Sequence, residues 1–215
     1  MKKIAVILSG SGVYDGSEIH EATLTMYSIV KNGATYEVFA PDIDQHHVIN
    51  HITGEEMPEK RNVLIESARI SRGQIKNLSE FKAAAFDALI LPGGFGAAKN
   101  LSTFAFDGAD CKVNLDTEKA IRSMVEQKKP VGAICIAPVI IAKILGDVEL
   151  TIGQDKETAN AVKTMGAKHK DTTHGEVIID QNNKIVTTPC YMLDANIVQI
   201  GDGANNIVKA VLELA

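Results

Sequence analysis

The chain has 215 residues, a formal net charge of −5, 45% apolar and 23% charged residues, which is ordinary for one soluble globular domain. No basic run offers a phosphate-binding face and no apolar stretch approaches the ~18 residues of a membrane span, so nucleic acid and membrane are excluded as expected partners. Three widely spaced cysteines (Cys111, Cys135, Cys190) do not build a disulfide framework and point to a reducing compartment, with the cytoplasm as the expected location.

Lys2 to Leu8 (KKIAVIL) predicts a first, central parallel strand. The glycine turn Ser9-Gly10-Ser11-Gly12 follows it. This is not the dinucleotide fingerprint: counted from Gly10 and Gly12, the third glycine position holds Asp15, and Gly16 comes one residue late. Asp15 or Ser17 can cap a helix from about Glu18 to Asn32, with Gly33 as its stop. Tyr36 to Ala40 is the second strand. Such a β-turn-α-β opening predicts an α/β fold with a doubly wound, mainly parallel sheet and helices on both faces.

Residues 41–78 break that rhythm. Asp42 to Gly54 is polar and rich in histidine, and Asn62 to Arg72 reads as a helix ended by Gly73. A segment of this length between strands is expected to cover the site or to make a subunit contact. Phe86 to Leu91 is the next strand and ends in Pro92-Gly93-Gly94. Helices are predicted at Ala97–Phe104 and Leu115–Lys128. A buried strand then runs from Val131 to Cys135, and Pro138 opens the helix that ends at Leu145. Glu149–Ile152 reads as a short strand and Lys156–Met165 as a helix. Glu176–Ile179 and Lys184–Thr187 read as a hairpin around Asp180-Gln181-Asn182-Asn183. The last helix is placed at Asp194–Ala215, with a break expected near Gly201-Asp202-Gly203. No repeat, low-complexity tract or linker interrupts the chain, so 1–215 is expected to be one domain carrying an inserted segment at 41–78.

The stretch Val131-Gly132-Ala133-Ile134-Cys135-Ile136-Ala137-Pro138 organises the rest. A cysteine where a buried strand turns at once into a helix sits beside unpaired helix N–H groups, which favour the nucleophilic thiolate. Serine uses the same geometry in the nucleophile elbow of hydrolases. The competing reading of Cys135 is a small apolar core residue. In a doubly wound sheet, ligands bind beyond the carboxyl ends of the strands. There the N–H groups of Gly93, Gly94 and Ile136 could form an oxyanion hole, although the glycines alone also fit a plain tight turn.

Glu18 and Glu21 lie three apart, on one face of the first helix. Glu18 reads as an acid offsetting the helix dipole. For Glu21, deeper in the helix, that reading is weaker; a carboxyl from either that meets Cys135 could accept a proton, and buried there it would tend to stay protonated. His169 and His174 lie in the polar stretch before the hairpin, and either could return to Cys135 or remain a solvated loop residue. His46, His47 and His51 have partial metal-ligand spacing, but no cysteine or carboxylate cluster completes a set, so no metal is expected. Lys99, Arg69 and Arg72 are candidates for the mouth of the site. Cys111 and Cys190 read as structural.

Taken together, Ala133-Ile134-Cys135-Ile136-Ala137-Pro138 and Leu91-Pro92-Gly93-Gly94-Phe95-Gly96 resemble the DJ-1/PfpI superfamily. The finer resemblance is to its ES1 branch, the ElbB-like or sigma cross-reacting protein 27A-like proteins. It is carried by residues 7–21 (ILSGSGVYDGSEIHE), by 61–70 (RNVLIESARI), by 92–101 (PGGFGAAKNL) and by 184–189 (KIVTTP) with Tyr191-Met192-Leu193, and it spans essentially the whole chain.

This resemblance implies a flavodoxin-like fold, a homodimer, a reactive elbow cysteine at Cys135 and a helix glutamate touching it. Counting back from Gly33 favours Glu21 for that glutamate. His169 is the better match to the histidine that some members bring near the cysteine. Two departures matter. Ile136 replaces the histidine of protease-like members, and no convincing His-x-Glu pair completes an amidotransferase triad, because His174-Gly175-Glu176 follows Cys135 too closely. The implied activity is a cofactor-independent glyoxalase that converts glyoxal or methylglyoxal to a 2-hydroxy acid, with a small aldehyde as its substrate. The alternatives are a regulatory or redox-responsive protein linked to isoprenoid biosynthesis, and a deglycase.

Overall fold

Alternation along the first strand decides how the layers form. Ile4, Val6 and Leu8 face one side of the sheet and Ala5 and Ile7 the other, and all five are buried. A strand that is apolar on both faces must be covered on both. The structure, a computed structural model, describes all 215 residues. In chain order its elements are β1 (Lys3–Ile7), α1 (Ile19–Lys31), β2 (Thr35–Ala40), α2 (Val63–Ile70), β3 (Ile75–Asn77), β4 (Ala88–Leu91), α3 (Phe95–Lys99), α4 (Phe104–Asp107) and α5 (Leu115–Glu126). They continue with β5 (Val131–Ile134), α6 (Pro138–Leu145), β6 (Glu149–Leu150), α7 (Lys156–Thr164), β7 (Lys168–His169), β8 (Ile178–Asp180), β9 (Ile185–Thr188) and α8 (Ile197–Leu214).

Seven strands form one sheet in the order β3-β2-β1-β4-β5-β9-β8, parallel except for β8, which pairs antiparallel with β9. The chain reverses its direction of travel across the sheet between β1 and β4, the crevice where such folds hold ligands. Ile4, Val6, Ile90 and Ile134 pack with Ala22, Met26 and Ile29 of α1 and with Ile200, Ile207 and Val211 of α8. Ala5, Ile7, Leu89 and Leu91 pack on the opposite side with Ile121 and Met124 of α5 and Ile140 and Ile141 of α6. The expected doubly wound sheet with helices on both faces is therefore present.

Four local expectations change. The helix expected at Ala97–Phe104 is two short helices, α3 and α4, and Asn100 explains the division. Its side-chain amide donates to the carbonyls of Ser9 and Asp15 at 2.9 Å, and its oxygen accepts the His46 N–H at 2.9 Å, so this residue ties three loops together. The edge strand β3 has only three residues, too few to show alternation in the sequence. Strand β7, which pairs with β6 in a separate small sheet, has two. Helix α8 runs unbroken through Gly201-Asp202-Gly203. A Cβ on Gly203 would sit 2.8 Å from Cys190 Sγ, so the glycine permits a close approach and does not end the helix.

Candidate active site

Cys135 follows β5 directly, with φ of 62°, a left-handed conformation that costs a β-carbon-bearing residue ~1–3 kcal/mol. Its N–H donates to the Thr188 carbonyl at 3.0 Å, which fixes the turn to β9. Pro138 then starts α6 at a position where no amide hydrogen is needed. The sulfur opens onto a mostly apolar cavity of about 260 Å³. Val13, Phe95, Ala98, Phe104, Ile136 and Met192 supply apolar wall, while Asp155, Thr158 and Tyr191 bring polar groups.

Glu21 is fully buried on α1. Its Oε2 accepts the Gly93 N–H at 3.0 Å, its Oε1 accepts the Tyr191 N–H at 3.1 Å, and the carboxyl is in hydrogen-bonding reach of the Cys135 thiol. Burial, with the Glu18 charge adding to it, pushes this carboxyl up to about 8 against the pull of the two amides. At neutral pH Glu21 is therefore largely protonated and can act as a donor towards sulfur. Gly93 has to be glycine, because a Cβ there would overlap both Cys135 Cβ and Glu21 Oε2.

Gly93 is accordingly corrected as an oxyanion-hole residue: its amide is taken by Glu21. The N–H groups of Gly94 and Ile136 remain, and both point at the Cys135 sulfur. The expectation of a thiolate set by the helix terminus is corrected as well. Burial first, and then the Glu21 charge, push the Cys135 thiol well above its ordinary value, and the two amides only partly offset this. The charge contribution disappears when Glu21 holds its proton. Thiol and carboxyl therefore titrate as a pair, and ionisation of one suppresses ionisation of the other.

Glu18 sits at the N-cap of α1, where its Oε2 accepts the Glu21 N–H at 2.7 Å. It also reaches the site through its backbone N–H, which donates to the Gly93 carbonyl at 2.9 Å, and through its charge. His169 is corrected as a site residue. Its side chain is 1% exposed beneath the small sheet, its Nε2 accepts the Ile152 N–H at 3.3 Å, and it is not part of the cavity wall. Burial pushes its pKa down, so it stays neutral. His174 is corrected in the same way: it is exposed, and its Nε2 lies 3.0 Å from the Asp194 carbonyl.

Segment 41–78 packs on the turn after β1 and contributes nothing to the cavity wall. Ile49 N–H donates to Asp15 Oδ2 at 2.7 Å, and Tyr14 N–H donates to His51 Nε2 at 3.2 Å. His47 meets His46 and Phe106 edge-to-face, and the His46 and Phe106 rings pack tilted with centroids 4.2 Å apart. Lys99 is not part of the cavity wall: its ammonium donates to the Tyr14 carbonyl at 3.0 Å and lies 5.3 Å above the Phe95 ring, whereas Arg69 pairs with Glu66 on α2. Cys111 and Cys190 are buried and unpaired, and Cys190 packs against α8. Tyr191, Asp155 and Thr158 carry no local signal of a site. Asp155 is visible in the sequence only as an N-cap, and a chain fold is needed to aim that helix start at Cys135.

A family model described as the DJ-1/PfpI family matches residues 2–192. The chain is 51% identical to the "ES1 protein homolog, mitochondrial" of Rattus norvegicus, over 99% of this chain and 84% of that one. It is 49% identical to the human "Glutamine amidotransferase-like class 1 domain-containing protein 3, mitochondrial", over 99% and 83%. A crystal structure of an "isoprenoid biosynthesis protein with amidotransferase-like domain" from Ehrlichia chaffeensis superposes with a TM-score of 0.92 at 33% identity, covering 99% of this chain and 100% of that one. The cytoplasmic expectation does not stand, because both curated relatives carry a mitochondrial designation. Free cysteines report a reducing environment, which is not confined to one compartment.

Proposed function

The chain belongs to the DJ-1/PfpI family, in its ES1 branch, and from that membership we propose that it is a cofactor-independent glyoxalase acting on glyoxal or methylglyoxal. The observation that carries this reading is the buried Glu21 carboxyl, raised to about 8, against the Cys135 thiol at the end of a small apolar cavity. A group with a pKa near the working pH both gives and takes protons effectively.

The reaction begins from the form of the pair with sulfur ionised and Glu21 protonated, with the Gly94 and Ile136 amides holding the sulfur. Sulfur attacks the aldehyde carbon, Glu21 gives its proton to the aldehyde oxygen, and a hemithioacetal forms. The Glu21 carboxylate removes the hydrogen from that carbon and returns it to the neighbouring one through an enediol. The proton on the first oxygen leaves and the second oxygen gains one, which leaves a 2-hydroxy thioester. Water cleaves the thioester to the 2-hydroxy acid and restores the thiol. One water is added overall and no electron acceptor is required.

The decisive experiment is steady-state turnover of glyoxal and methylglyoxal by the full chain in the presence of a chelator. Turnover that disappears in Cys135→Ala supports the reading, and full activity in that variant removes it. A second reading, a regulatory or redox-responsive protein, draws on the Gly94 and Ile136 amides at the Cys135 sulfur, which favour its oxidisable thiolate. Negligible turnover together with ready oxidation of Cys135 by peroxide, read by mass spectrometry, would favour it. A homodimer is part of the same proposal, and sedimentation of the full chain tests it.

A further inference from the structure

Tyr191 is bound to the site in two ways. Its backbone N–H holds Glu21 Oε1 at 3.1 Å, and its side chain forms part of the cavity wall beside Cys135. Its phenol oxygen lies 2.8 Å from His20 Nδ1. His20 is in the first turn of α1, with half of its side chain exposed, so its ring connects the phenol to solvent. The other polar side chains of the cavity are already engaged. Asp155 accepts the Thr158 N–H at 2.8 Å, and hydrogen bonds from Thr158 hold its carboxyl below the ordinary range, so Asp155 is an ionised acceptor. The Thr158 hydroxyl is turned to that carboxylate. With His20 in the Nδ1–H tautomer donating to the phenol oxygen, the phenol hydrogen is the remaining side-chain donor on the wall. Burial pushes its pKa above the ordinary tyrosine value, which keeps it protonated.

We infer that Tyr191, positioned by His20, is a further catalytic residue that donates its phenolic hydrogen to the second carbonyl oxygen of an α-oxo aldehyde held on Cys135, so that the site prefers 1,2-dicarbonyls to simple aldehydes. This rests on the glyoxalase reading and adds the donor that the reading lacks. As Glu21 removes the hydrogen on the first carbon, the electron pair moves to form the enediol double bond and the second oxygen takes the Tyr191 proton. Water protonates the exposed Nε2 of His20 as its Nδ1–H returns a proton to the phenolate, so the ring ends as the other tautomer and no imidazolate forms. The hydroxyl proton on the first carbon leaves to water when the thioester carbonyl forms, so protons balance and no redox partner enters.

The test compares wild type with Tyr191→Phe, which keeps the ring and the backbone amide on Glu21. Methylglyoxal and propanal are the probes. Three quantities are read: turnover with chelator present, occupancy of the Cys135 adduct, and the iodoacetamide alkylation rate of Cys135. Tyr191→Phe should lower methylglyoxal turnover by about 10²-fold, reduce the adduct preference for methylglyoxal over propanal by about 10-fold, and leave the alkylation rate unchanged. Wild-type turnover and preference in the variant would overturn the inference. If wild type forms the adduct without turnover, the glyoxalase reading fails while the preference ratio still decides the role of Tyr191. If wild type forms no adduct, both fall. His20→Asn keeps a donor near Nδ1 and should retain the preference while slowing turnover, whereas His20→Phe should lose both. A His20→Phe protein that behaves as wild type refutes the relay.

Discussion

Glu21 Oε2 accepts the Gly93 amide at 3.0 Å, and this hydrogen bond ties α1 to the turn after β4 directly beside Cys135. The bond has an electrostatic consequence. An amide on each carboxylate oxygen favours the charged form, yet burial outweighs both and leaves the group at about 8. Glu21 is held in place by groups that prefer it ionised, inside surroundings that prefer it neutral.

That balance predicts how stability varies with pH. Glu21 has a folded pKa of about 8 against an unfolded value of 4.5, so the folded state binds its proton more tightly. The associated stabilisation is complete below pH 4.5 and is lost as pH rises through about 8. Glu21→Gln, which keeps the shape without titrating, should not show this loss. Urea unfolding from pH 4.5 to 8 should show wild type losing up to about 5 kcal/mol relative to the variant, from a shift of this size at 1.36 kcal/mol per unit. Parallel curves for the two proteins would mean that Glu21 does not titrate in this window.

The same variant tests the coupling to sulfur. The Glu21 charge raises the Cys135 pKa, so removing it moves the midpoint of the alkylation rate against pH to lower values. Glu21→Gln should therefore alkylate faster at pH 8 to 9 while turning over glyoxal at least about 10²-fold more slowly, because no proton shuttle remains. An unchanged alkylation midpoint would separate the two groups.

Gly93→Ala should be among the most damaging small substitutions in the chain. The added methyl overlaps Cys135 Cβ and Glu21 Oε2, and neither neighbour is the free end of a surface side chain. Overpacking of this kind costs about 1–3 kcal/mol, and relief requires the thiol and carboxyl to move apart. A lower melting temperature with turnover lost is expected, and a variant with wild-type turnover would show that the spacing of the pair is not critical.

Parallel strands and the cysteine elbow were legible because their signals are local: continuous apolar runs, a proline at the first helical turn, glycines after a strand. Glu21 was legible because it lies too deep in the helix to be explained by the dipole, and because the family resemblance places a glutamate about three turns before the glycine that ends the helix. Strands β3 and β7 were not, since three and two residues carry no period and owe their form to a neighbouring strand. Gly203 looked like a helix break because glycine has low helix propensity, while its real constraint, Cys190 Sγ, comes from 13 positions earlier in sequence through a tertiary approach. The role of Gly93 depended on where its amide points, which composition does not encode.

Glu18→Gln isolates the neighbouring charge. A glutamine side-chain oxygen can still accept the Glu21 N–H, so the N-cap persists and stability near neutral pH should change by less than about 1 kcal/mol. Loss of the Glu18 charge removes one of the influences raising Glu21, so the Glu21 pKa should move down from about 8. The transition in the pH–stability curve, measured as above, should shift to lower pH, and a curve identical to wild type would show that the Glu18 charge does not influence Glu21.

His169→Gln distinguishes a buried structural ring from a catalytic one. Its Nε2 accepts the Ile152 amide at 3.3 Å and its Nδ1 lies 3.5 Å from Asp171, while Cys135 is reached from other elements: β5, α1, the turn after β4 and the segment bearing Tyr191. A glutamine can replace only part of this bonding in a pocket shaped for imidazole. The expected result is a loss of about 1–3 kcal/mol in unfolding free energy from an imperfectly satisfied buried amide, with methylglyoxal turnover within about 2-fold of wild type, far short of the 10²-fold or more expected on losing an acid–base group. A loss of 10²-fold or more in a variant that remains folded would return His169 to the reaction and require a conformation in which its ring leaves the small sheet.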